Sequence, residues 1–199
     1  MDIQWINELA LFGHVLAAAG MIGGGIVQVM GGFRLRAATQ TSEVRTWAEF
    51  TRSAGILIAA SAAISLFTGG HLAANSPWTM GDTSGFSLPF ITLGMLGLVL
   101  LAPVGPMIGG ARLRRLAAAA DENAAMADAD LRAAANDPTL WGPVHSLLGV
   151  GVGFVWIMTT KPGWAAGAIG LLVTFAAGWA VGVVLAQRTT AGTPAPAGR

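Results

Sequence analysis

The sequence predicts an all-α fold, a polytopic membrane helix bundle with five transmembrane helices. Three observations predict it. Only 11% of the 199 residues are charged and 54% are hydrophobic, whereas a soluble domain carries about 25% charge. Five stretches are long and apolar enough to cross hydrocarbon, and none contains Asp, Glu, Lys or Arg. The chain also holds 28 Gly and 9 Pro. That composition suits helices packed closely in lipid rather than a soluble core.

The first span covers about residues 9–33, the second 53–74, the third 88–110, the fourth 143–160 and the fifth 164–186. Lys161-Pro162-Gly163 parts the last two. The joined stretch is too long for one crossing, so a hairpin is predicted there. Pro103 and Pro106 predict a kink in the third span. Residues 34–52 read as a short cytoplasmic helix or a helical extension, capped by Thr41 or Ser42. In residues 111–136, Leu113, Leu116, Ala120, Ala124, Ala127 and Leu131 recur at helical spacing. This predicts a cytoplasmic helical hairpin, closed by Asn136-Asp137-Pro138. Its arginines face anionic headgroups or simply solvate a connector. Residues 1–188 form a single bundle on this reading, and the low-complexity tail 189–199 is expected to be disordered. Trp78 and Trp164 suit anchors at the membrane interface, as do Trp5, Trp47 and Trp141.

Orientation follows from the basic residues. Arg34, Arg36, Arg45 and Arg52 lie in the first connection, Arg112, Arg114, Arg115 and Arg132 in the third, and Arg188 and Arg199 in the tail. Lys161 alone falls on the other side. Positive charge marks the cytoplasmic face, so the N-terminus is predicted outside and the C-terminus inside. Asp2 and Glu8, with no basic residue beside them, agree with this. They also argue that the first helix is retained rather than cleaved as a signal peptide. Four-residue glycine pairs (Gly20 and Gly24, Gly105 and Gly109, Gly163 and Gly167, Gly178 and Gly182) predict close helix packing.

The inventory of reactive groups is short. There is no Cys and no Tyr, which excludes disulfides, thiolate metal sites, iron–sulfur clusters and tyrosyl chemistry. The spans hold no carboxylate, which argues against a carboxylate-driven pump. A net charge of +1 gives no reason to expect nucleic acid as a partner. The partners that remain are the lipid bilayer and a membrane complex or second copy. His14 lies inside the first span among Gly13, Ala17, Ala18 and Met21. Imidazole is a common metal ligand and an axial ligand of haem, so His14 is a candidate metal ligand; alternatively it bonds a carbonyl of a neighbouring helix. His71 lies near the outer end of the second span and could share a site with His14, or merely sit at the interface. His145 lies at the opposite end. Lys161 is either a snorkelling turn residue or a contact for an anionic group such as a porphyrin propionate. Met21, Met30, Met80, Met95, Met107 and Met158 offer soft ligands for copper, though methionine commonly fills packing gaps.

Several motifs carry a resemblance. They are His14-Val15-Leu16-Ala17-Ala18 followed by Gly23-Gly24, the Pro103, Gly105, Pro106 stretch running into Arg-rich Ala repeats, and Thr159-Thr160-Lys161-Pro162-Gly163. The pattern resembles an uncharacterised family of bacterial integral membrane proteins. More distantly it is similar to HemJ-type protoporphyrinogen oxidases and to copper-resistance D membrane proteins. The resemblance implies a small helical bundle in a bacterial cytoplasmic membrane. It implies haem b as cofactor, with His14 matching the first-helix histidine and Lys161 the lysine of the Lys-Pro turn; His71 has no counterpart. The expected function is haem binding or redox chemistry. An accessory or assembly subunit of a larger membrane complex is the alternative, and copper handling the second alternative.

Overall fold

The structure is a computed structural model, and it describes residues 3–75, 84–101, 104–120 and 126–191. Among the described residues seven α-helices follow in order: α1 (Ile3–Ala37), α2 (Thr41–Asn75), α3 (Pro89–Leu101), α4 (Ala111–Ala119), α5 (Ala129–Ala135), α6 (Pro138–Thr160) and α7 (Trp164–Ala191). A 3₁₀ turn precedes α3, and a π-helical segment, Val104–Gly110, joins α3 to α4. Among the described residues there is no strand, only a single bridge between Gln40 and Met126. Four helical runs are long and apolar enough to cross a membrane: α1, α2, α5–α6 and α7. Their outward faces carry large apolar side chains such as Phe67 (77% exposed), Leu172 (67%) and Phe12 (65%). Faces of this kind call for hydrocarbon rather than water.

The third expected span, 88–110, is not one α-helix. It divides into α3 and the π segment that contains Pro106. Proline lacks the N–H that continues an α-helix, and a wider turn accommodates the gap. Pro103 lies outside the described residues, as do Trp78 and Ala124.

Glycine sets how closely the helices approach. α1 and α2 form an antiparallel pair, in which Gly13 faces Thr68, Gly20 faces Ser61, Gly24 faces Ile58 and Gly31 faces Thr51. The buried or facing positions 13, 17, 20, 24, 28, 31 and 35 of α1 recur at three- and four-residue steps, the spacing of one helix face. α6 and α7 form a second antiparallel pair. A Cβ at Gly182 would overlap the Trp141 carbonyl, and one at Gly149 the Thr174 carbonyl; at Gly178 it would lie 2.6 Å from the His145 oxygen. These are backbone-to-backbone contacts that only glycine permits. Opposed residues such as Gly32 with Trp141 and Gly97 with Phe154 show that α1 and α3 both run antiparallel to α6. In the most apolar stretch of the α5–α6 run 67% of residues are buried, against 17% in α1 and in α2 and 6% in α7. α6 is therefore the central helix.

A second core closes the arginine-bearing end. Leu35, Val44, Leu113, Leu116, Leu131, Leu140, Trp141 and Val144 are buried there. Leu113, Leu116, Ala120, Ala127 and Leu131, the positions that predicted a helical hairpin, point into this core. Asp137 caps α6, its Oδ1 accepting from the Thr139 N–H at 2.8 Å, and it pairs with Arg112 at 2.8 Å. Three expectations need correction. Thr41 does not cap α2, because its hydroxyl is buried and unpaired; Glu43 instead accepts from the N–H groups of Thr39 and Gln40. Trp141 is fully buried, and its indole N–H donates to the Ala135 carbonyl at 2.7 Å, so it is a core residue and not an interface anchor. α7 continues through Ala191, so the first tail residues, 189–191, are helical; residues 192–199 lie outside the described residues.

The glycine contacts generate a prediction. Gly182→Ala should destabilise the detergent-solubilised protein by about 1–3 kcal/mol, the usual cost of overpacking. A Cβ at Gly163 meets nothing within 4 Å, so Gly163→Ala is the control. Equal unfolding midpoints for the two variants would contradict the packing described.

Candidate functional site

The α1–α2 seam positions His14. The ring Nδ1 lies 3.0 Å from the Ser65 carbonyl oxygen, 3.3 Å from Thr68 Oγ1 and 3.4 Å from Ser65 Oγ. The Thr68 hydroxyl donates to the Ile64 carbonyl at 2.7 Å, so it cannot also donate to the ring. A carbonyl only accepts. The ring hydrogen therefore sits on Nδ1, and Nε2 keeps its lone pair. Gly69 makes room for the ring: a Cβ there would lie 2.9 Å from His14 Cε1. The neighbouring-helix bond expected for a purely structural histidine is present. It is also the arrangement that orients a metal-ligating histidine, whose second nitrogen donates to a carbonyl.

His71 has a different setting. Its Nε2 lies 3.0 Å from Asn7 Oδ1, while Asn7 Nδ2 donates to the Asn75 carbonyl. Asn75 Nδ2 lies 3.4 Å from His71 Nδ1 and donates to the His71 carbonyl at 3.0 Å. Both ring nitrogens are engaged. Asn7 and His14 are seven residues apart, roughly 10 Å along the helix by its rise. The two histidines thus share the seam but not a partner or a level.

Lys161 ends α6 in the left-handed region, with φ 50°. Its ammonium lies 5.9 Å from the Phe90 ring centroid, and its N–H donates to the Ile157 carbonyl at 3.0 Å. His145 is buried near the opposite end, its Nδ1 3.0 Å from the Trp141 carbonyl.

Two clefts stand out. One, of about 680 Å³, opens at the arginine-bearing end between Arg112, Arg115, Asp128, Asp130 and Asp137. The other, of about 50 Å³, is apolar and lies mid-bundle between Met21, Gly25, Ile58, Leu98 and Phe154. Neither is lined by His14. Met21 and Met158 belong to one buried apolar cluster, Met158 also packing against Gly94; Met95 lies beside Gly70, and Met30 and Met107 face outward; Met80 lies outside the described residues. Among the described residues no three His, Asp or Glu side chains gather as a metal site.

Sequence reading missed Arg36, which it counted among connection arginines. Arg36 is 7% exposed and lies between the rings of Phe33 and Trp141, at 4.8 and 4.4 Å from their centroids. The available signal was Gln28, Gly32 and Arg36 at four-residue steps, which continue a buried face of α1.

No protein-family model matches the sequence, and comparison with curated proteins and with solved structures gave no match.

The left-handed backbone at Lys161 makes a prediction. Lys161→Gly and Lys161→Ala both remove the side chain, but alanine keeps the left-handed penalty of about 1–2 kcal/mol. The glycine variant should therefore be the more stable by about 1 kcal/mol in detergent unfolding. Equal stability would show that the turn relaxes at no cost.

Proposed function

We propose that this chain is a five-crossing integral protein of a bacterial cytoplasmic membrane, with the N-terminus outside and the C-terminus inside, that binds haem b through His14 and serves a redox role. The alternation in direction of α1, α2, α3, α6 and α7 supports the odd number of crossings. So does the sequestration of arginines at the end where α7 finishes. The single observation that carries the ligand reading is the contact of His14 Nδ1 with the Ser65 carbonyl oxygen at 3.0 Å. In the neutral ring that contact places the hydrogen on Nδ1, so Nε2 would be the nitrogen to hold iron.

The residues present fit an axial ligand. The Ser65 carbonyl fixes the imidazole plane. Gly69 leaves room for the ring on the α2 side, and Gly13 lets α1 approach Thr68. Lys161 is the cation on the outer side that would meet a propionate, and His71 borders the same seam. Haem, when bound, supplies one-electron chemistry at iron. The similarity of His14 and the Lys161-Pro162 turn to HemJ-type proteins supports the same reading.

A second reading is an accessory or assembly subunit. The observation that favours it is that neither cleft reaches His14. A flat macrocycle there would be covered by lipid or by another chain. In that case the protein purifies colourless and with a partner under mild detergent.

The haem reading predicts a Soret band in protein expressed with haem supplied. His14→Ala should abolish it, and His71→Ala should keep it. A colourless wild-type preparation, or a band unchanged in His14→Ala, contradicts the proposal.

A further inference from the structure

Among the described residues Arg36 is the one buried arginine. Both Nη1 and Nη2 are buried and make no hydrogen bond. Of the carboxylates described at this end, Glu49 pairs with Arg45, Asp137 with Arg112, Glu43 with the start of α2 and Asp128 with the Leu131 N–H, and the exposed Asp130 lines the cleft with Arg112 and Arg115. His145 is 4% exposed, and its Nε2 is likewise buried without a partner. Since His145 Nδ1 faces the Trp141 carbonyl, its hydrogen is on Nδ1 and Nε2 is an acceptor. Arg36 and His145 pack on the same Trp141 ring, at 4.4 and 6.0 Å between centres.

A guanidinium stays charged at any physiological pH. Two ring faces offset part of its desolvation cost, but they supply no acceptor for four N–H groups and no neutralising charge. Water alone would satisfy the hydrogens and leave the charge. An oxyanion does both, and the planar fork matches phosphate oxygens. Arg36 lies about one turn beyond the end of the first span that the sequence predicts, in the last turn of α1. Phe33, which covers one side, is 48% exposed and can swing aside.

We propose that Arg36 is a binding site for a phosphate-class oxyanion at the inner end of α1. His145 Nε2 accepts from a water or a P–OH group of the same site, and the Phe33 ring is the cover. The proposal does not depend on haem. Lipid headgroups and free phosphate share this chemistry, and one experiment separates them.

The full chain in detergent is titrated with inorganic phosphate at constant ionic strength, and its unfolding midpoint is followed. In parallel, phospholipid retained after delipidation is measured, together with the midpoint in nanodiscs with and without phosphatidylglycerol. A saturable rise in wild type that is lost in Arg36→Met supports the site with free phosphate as source. No response to free phosphate, with phosphatidylglycerol retained and stabilising in wild type but not in Arg36→Met, supports it with the headgroup as source. Arg36→Lys keeps the charge without the fork and should weaken half-saturation about ten-fold. If Arg36→Met does not fold, Arg36→Lys decides, and unchanged half-saturation overturns the proposal. A non-saturating rise equal in wild type and variant is only exclusion of phosphate from the surface and overturns it as well. So does a lack of response to both sources.

Discussion

Close approach of helix backbones at glycine is the constraint on which the rest depends. Lipid provides no hydrophobic drive to bring apolar helices together, so contact area must do it. In the α6–α7 pair the opposing atoms at Gly149, Gly178 and Gly182 are main-chain atoms. In the α1–α2 pair the glycines of α1 receive small polar side chains, Ser61, Thr68 and Thr51. The second arrangement brings His14 within reach of the Ser65 carbonyl. A bulkier seam would push the helices apart and leave the ring without its acceptor. The setting of His14 is thus a consequence of helix packing.

The two ends of the molecule are built differently. At the arginine-bearing end, α4, α5 and the ends of α1, α2, α6 and α7 enclose a core that would serve a soluble domain. Buried polar atoms without partners gather there too, on Gln28, Thr51, Thr41, Arg36, His145 and Asn136. At the other end, the polar groups of His14, His71, Asn7 and Asn75 meet one another. Exposed apolar side chains cover the faces between. An interior that is satisfied on one side and unsatisfied on the other draws attention to the arginine-bearing half as the place where a bound polar species would have most effect.

Much of the fold was legible because hydrophobic length and charge placement act locally. The long helices, the Lys161-Pro162-Gly163 turn and the apolar face of residues 111–136 follow from the chain read a few residues at a time. The division of the third span was only half legible: Pro106 announced a disturbance, but not that a π segment would absorb it. The site was less legible. Which residue of α2 meets His14 depends on the register between two helices of 35 residues each. That register is set by the glycine seam as a whole and by no single motif. Arg36 was misread for a related reason. Its sequence neighbours suggest a cytoplasmic connection, while its inward turn depends on Trp141, which is distant in sequence and seated over Gly32.

The central claim is that the chain crosses the membrane an odd number of times with its arginines inside. The protein has no cysteine, so single cysteines introduced at Gln4, Ala118, Gly163 and Gln187 report side directly through an impermeant thiol reagent. The account predicts labelling of the Gln4 and Gly163 positions in intact cells, and of the Ala118 and Gln187 positions only after the membrane is opened. Labelling of the Gln4 and Gln187 positions from the same side would contradict it.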